Sequence, residues 1–207
     1  MRTAIYLLLA IILFSHQTIT AQENNRSRGT WKIERGSAGY KTDDAPGKDS
    51  YKKGMNYYLG TNGCKRDYTK ALEHLNVAAE AGYPLALYQL GNCYYYGNGV
   101  KINKKTAAEY WQKSADKGCV EAQYELGCMY YKGDNVKRNY NTVVELFTKS
   151  AEAGNHAALY MLGECYWEGT GVKKDKNKAI DYWQKSANKG NHKAKDRIKK
   201  HGKEEKK

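Results

Sequence analysis

Nineteen of the 207 residues are tyrosine and only two are phenylalanine. Tyrosine joins an apolar ring to a hydroxyl, so it suits places where one side is buried and the other meets water or a partner. These rings recur in register. Tyr57, Tyr94, Tyr130 and Tyr166 form one set, which is expected to face the core. Tyr58, Tyr95, Tyr131 and Trp167 form a second, and Tyr51, Tyr88, Tyr124 and Tyr160 a third. On a helix, positions 88 and 95 lie within about 20° of each other, off the main apolar face. The second and third sets therefore make a stripe with two open roles: a ladder of rings for a bound chain, or a seal between adjacent copies of a repeated unit.

The other reactive residue types promise little chemistry. Five cysteines leave at least one thiol unpaired. Cys93 and Cys165 share a slot with Met129, a pattern of apolar packing. Those two lie two repeats apart, about 16–20 Å at ordinary helix spacing, too far to bond. Cys119 and Cys128 are roughly 13 Å apart along one helix and cannot pair either. Cys64–Cys93 and Cys93–Cys128 stay open. There is no CxxC and no His/Cys pair at ligand spacing, so no metal site is expected. His74, His156, His192 and His201 are scattered. His156 and His192 fall in a slot held elsewhere by Pro84 and Val120, and read as surface turn residues. No Ser/His/Asp set and no phosphate-binding glycine loop is present. The chain reads as a non-enzyme without a cofactor.

These side chains must be positioned by a unit that repeats every 36 residues. Gly82, Gly118, Gly154 and Gly190 keep that step, as do Ala86, Ala122, Ala158 and Ala194. Leu90-Gly91, Leu126-Gly127 and Leu162-Gly163 follow it, and so do Asp67, Asn103, Asn139 and Asp175. Each copy predicts two helices. In the second copy, helix A runs about Pro84 to Tyr96, with Ala86, Leu87, Leu90, Gly91 and Tyr94 on one face. A glycine inside a helix costs about 1 kcal/mol, so its return at 91, 127 and 163 implies close helix approach. Gly97-Asn98-Gly99 breaks the helix. Asn103 stands where an N-cap is needed. Helix B then runs to Lys117, with Ala107, Trp111, Ser114 and Ala115 inward and Gly118 after its end.

A hairpin of this size cannot bury its apolar face alone, but stacked copies can. The expected fold is all-α: an α-solenoid of about four helix-turn-helix units, period 36, with a C-terminal capping helix. The boundaries are a solenoid over 49–201, its repeats about 49–83, 84–119, 120–155 and 156–191, and a cap over 192–201. A basic tail follows at 202–207.

The pattern A-x-x-x-L-G-x-x-Y-x-x-G-x-G-V, then Asp/Asn, A-x-x-x-W/F and A-x-x-G, resembles the Sel-1-like repeat, a relative of the tetratricopeptide repeat. Ala86–Val100 with Ala107, Trp111 and Gly118 carries it, as do Ala122–Val136 with Phe147 and Gly154, and Ala158–Val172 with Ala179, Trp183 and Gly190. The first copy departs at Asp49 and Cys64, and the third has Asn135 for a turn glycine. The resemblance implies a scaffold or adaptor without shared catalytic residues, whose helix A lines the concave surface. The stripe of Tyr58, Tyr95, Tyr131, Trp167, Tyr88, Tyr124 and Tyr160 would then face a protein or peptide partner.

Lysine plus arginine exceed the acids by 13. With a mean hydropathy of −0.86, a multi-span membrane protein is excluded. The excess of charge suggests the alternative of a polyanion- or glycan-binding module at the cell envelope. Nucleic acid is disfavoured, because Met1–Ala21 reads as a signal peptide with an apolar run from Ala4 to Phe14. The expected location is the periplasm or the exterior, with no integral anchor after cleavage. Residues 22–48, poor in apolar periodicity apart from Trp31-Lys32-Ile33, read as a flexible arm.

Overall fold

A computed structural model describes residues 45–201 of the chain. The segments expected as a signal peptide, most of the arm and the basic tail fall outside the described residues. Among the described residues there are nine helices and no strand. They are α1 (Lys48–Leu59), α2 (Tyr68–Glu80), α3 (Pro84–Tyr96), α4 (Lys104–Asp116), α5 (Val120–Lys132), α6 (Tyr140–Glu152), α7 (His156–Glu168), α8 (Lys176–Asn188) and α9 (His192–His201). The first of these begins one residue inside the segment expected as an arm. Each helix packs on the one before it and the one after it. That is the nearest-neighbour architecture of an all-α solenoid. The A helices are α1, α3, α5 and α7, and the B helices are α2, α4, α6 and α8.

The turns explain the register. Asp67, Asn103, Asn139 and Asp175 each accept a hydrogen bond from the backbone N–H three residues on. This supplies the first turn of every B helix with an acceptor. The second turn glycine of the other copies is left-handed at Gly99 (φ 77°) and Gly171 (φ 69°), and Asn135 adopts φ 57° in their place. Asparagine is among the few side chains that tolerate this region.

Two devices lock A against B in the last three hairpins. The mid-helix glycines make room for a ring. A Cβ at Gly127 would lie 2.7 Å from the Phe147 ring, and at Gly91 and Gly163 it would run into Trp111 and Trp183. The second device is a buried serine. Ser114 Oγ donates to the Pro84 carbonyl (2.7 Å), Ser150 Oγ to Val120 (2.9 Å) and Ser186 Oγ to His156 (2.6 Å). Each bond ties helix B to the first turn of helix A and leaves no buried hydroxyl unpaired. The core is then Leu75, Leu90, Leu126 and Leu162 against Trp111, Phe147 and Trp183.

Candidate functional site

The recurring rings separate into three environments. Tyr57, Tyr94 and Tyr166 do not point into the core as expected. They are half-buried and lie flat on a ring of helix B: Tyr57 on His74, Tyr94 on Tyr110 (5.5 Å) and Tyr166 on Tyr182 (5.5 Å). Tyr130, also half-buried, packs beside Leu146. The reason is position: these residues sit in the last turn of helix A, where the hairpin opens to water. Lysine ammoniums cover the outer rings, Lys113 over Tyr110 and Lys178 over Tyr166 (4.3 Å).

The second set joins neighbouring copies. Tyr58 is buried, edge-on to Tyr68, and its hydroxyl accepts from Asn98 in the next turn (2.7 Å). Tyr95 is half-buried against Trp111, and its hydroxyl donates to Asp134 in the turn after that (3.0 Å). Lys104 donates to both oxygens of Asp134 and holds that carboxyl below its ordinary range. Tyr131 packs on Tyr140, and Trp167 on Trp183 and His201. In the third set Tyr51 and Tyr88 are buried, so neither offers a ring to a partner. Tyr124 and Tyr160 are half-buried. The stripe is therefore a seal at Tyr51, Tyr58 and Tyr88, and it keeps open ring surface at Tyr95, Tyr124, Tyr131, Tyr160 and Trp167.

A group the stripe did not predict sits among these rings. Glu125 on α5 lies beside Tyr88, Tyr95 and Tyr96 of α3, whose hydroxyls feel its charge. It has no hydrogen bond or ion pair with any described residue. Burial pushes its carboxyl up to about 7, and Lys132 only partly offsets this. Glu164 on α7 is paired with Arg197 of α9, while its second oxygen is buried without an acceptor or donor among the described residues. Exposed Tyr96 closes the patch on one side. Gln89, Glu125, Met161 and Arg197 occupy one slot at the 36-residue step. That variation was the signal available in the sequence.

All five cysteines are free. Burial pushes Cys93, Cys119, Cys128 and Cys165 up to about 12, which keeps them as thiols. Cys93, Met129 and Cys165 are buried together in the core slot they share. No group of three His, Cys, Asp or Glu among the described residues can hold a metal ion. No described helix is long and apolar enough to cross a membrane.

Four consecutive segments, 51–83, 84–119, 120–155 and 156–191, match the Sel1 repeat. The chain belongs to the Sel1 repeat family. Solved Sel1 structures superpose on it. An SLR-fold protective antigen present in uropathogenic Escherichia coli strains aligns at 34% identity and a TM-score of 0.69, over 72% of this chain and 32% of its own. A Sel1 repeat protein from Oxalobacter formigenes aligns at 31% identity and a TM-score of 0.70, over 75% of this chain and 45% of its own. The chain thus spans less than half the length of either. No curated protein matches the sequence. Sel1 repeat proteins are generally protein-interaction scaffolds, and the Sel1 fold is generally non-enzymatic.

Proposed function

We propose that this Sel1 protein is an exported, non-enzymatic scaffold that holds an extended, basic segment of another protein along the face of its A helices. The carrying observation is Glu125: a carboxylate half out of water, with no ion pair among the described residues and only partial compensation from Lys132, beside Tyr88, Tyr95 and Tyr96. A lysine or arginine of a partner supplies the missing charge, and the rings add a cation–π surface. Glu121 and Glu168 extend the acidic line on the same helices, in a chain whose net charge is +13. By resemblance to other repeat solenoids this is the concave face. Export rests on the apolar run Ala4–Phe14, and N-terminal sequencing of the product checks it.

The test is capture from a native extract by the full chain and by a Tyr96→Ala, Glu125→Gln variant. Binding of the captured protein is then measured against purified chain. A loss of at least about tenfold in the variant, with unchanged circular dichroism, supports the reading. Equal binding by both moves the interface off this face.

A further inference from the structure

A second surface borders that groove and meets it at Tyr96. In a stack of hairpins all the A-to-B turns lie at one edge, and here they touch: Tyr58 reaches Asn98, Tyr95 and Lys104 reach Asp134, and the Gly171 turn abuts Tyr140. Lys65, Lys101, Lys137 and Lys173 occupy one position of the four turns, one per repeat. All four are exposed, and none has an ion pair among the described residues. Arg66, Arg138 and Lys174 stand beside them. Of the acids at this edge, Glu168 is exposed without an ion pair among the described residues, and the others are engaged. Asp67 and Asp175 cap helices, and Asp134 is held by Lys104 and Tyr95. The opposite edge is mixed: Glu80, Asp116 and Glu152 end its helices beside Lys113, Lys117, Lys149 and Lys189.

The same edge collects apolar side chains. Leu59, Tyr96, Ile102 and Tyr140 are 39%, 44%, 58% and 40% exposed. They are four of the five large exposed hydrophobic residues among the described ones, and all lie at or beside these turns. A row of lysines alone suits any polyanion. Lysines alternating with exposed leucine, isoleucine and tyrosine suit a surface that is anionic outside and apolar beneath. An anionic polymer in water gives Leu59 and Ile102 nothing to enter.

We propose that the A-to-B turn edge docks on an anionic lipid surface, with Lys65, Lys101, Lys137 and Lys173 at the headgroups and Leu59, Ile102 and Tyr140 at the acyl boundary. None of these residues belongs to the partner groove, so the proposal does not rest on that reading. Each lysine at such a surface is worth about fivefold in affinity, so four give a few hundredfold.

The test places a reporter in the edge itself. Ile102→Trp is introduced in the full chain, and its emission is followed against the parent with vesicles of phosphatidylcholine alone or mixed with phosphatidylglycerol. An apolar leader that holds the chain on any vesicle leaves this position in water. The expected result is a blue shift and quenching by brominated lipid on the anionic vesicles only, abolished at high salt. Changing the four lysines to glutamine raises the lipid concentration needed by about a hundredfold or more, and changing them to arginine restores docking. The proposal is overturned if the introduced indole stays unquenched on anionic vesicles, or if the glutamine variant docks as well. It is also overturned if soluble polyphosphate binds the edge while vesicles leave the indole in water, which would make the edge an anionic-polymer site.

Discussion

Glu125 is the residue where fold and function pull against each other. Its carboxyl is raised from an ordinary 4.5 to about 7 because folding takes it out of water. The folded state then binds a proton more readily than the unfolded chain between those two values. Stability therefore falls as pH rises from about 4.5 to 7, and the cost is fully present above 7. Glu125→Gln removes the charge and keeps the shape. The variant should match the parent below pH 4.5 and exceed it above pH 7 by an amount of order 1–3 kcal/mol. Chemical denaturation of both proteins across pH 4–8 checks this. His156, whose ring burial and Lys189 hold below its ordinary range, contributes equally to both and drops out of the difference. A gap that does not change with pH would mean that Glu125 stays hydrated, and the case for a cationic partner group would weaken with it. A stabilising loss of a side chain at this position is what a binding residue, rather than a packing residue, should give.

Within one hairpin, two kinds of glycine separate packing from backbone strain. Gly91 is helical and faces the Trp111 ring, so Gly91→Ala drives a methyl into a buried indole that already donates to Tyr88 and Asn92. Gly118 has φ 82° with nothing near its missing Cβ. Gly118→Ala should cost about 1 kcal/mol, from the left-handed backbone alone, and Gly91→Ala about 3 kcal/mol. Thermal unfolding of the two variants ranks them, and the reverse order would refute the close-approach reading. Asn103→Ala should fall near 1 kcal/mol through the lost N-cap. The sequence announced these positions because every copy needs them: turn, cap, glycine and opposing ring return at a fixed step. It was less informative about Tyr58 and Tyr88, whose burial depends on the neighbouring repeat and not on their own helix. It did not announce Glu125 either, since that slot holds a different residue in each copy. In a repeat array the recurring residues build the stack, and the residues that break the period, Gln89, Glu125, Met161 and Arg197, distinguish one copy from the next.

Along the whole stack, stability is the sum of neighbour contacts, so the ends govern local opening. The C-terminal helix α9 seals the last hairpin through Ala194, Arg197 and His201. Ala194 is buried, Arg197 pairs with Glu164, and the His201 ring lies 4.4 Å from that of Trp167. Beneath it Trp183 is fully buried, yet its Nε1–H finds no acceptor among the described residues. The equivalent Trp111 donates to Asn92, whereas Glu164 in that slot is turned to Arg197. The last hairpin is thus held by the cap as well as by its own Ser186–His156 bond and Gly163–Trp183 packing. Ending the chain after Asn191 should expose Trp167 and Trp183 and leave the Glu164 carboxylate without its guanidinium. Amide exchange is then expected to rise in α7 and α8 while α3 to α5 keep their protection. Arg197→Met, which keeps α9 but breaks the pair, should fall between the truncated and parent proteins. Equal loss of protection in every helix would show coupling beyond nearest neighbours, and a partner laid along the A helices would then be felt from one end of the stack to the other.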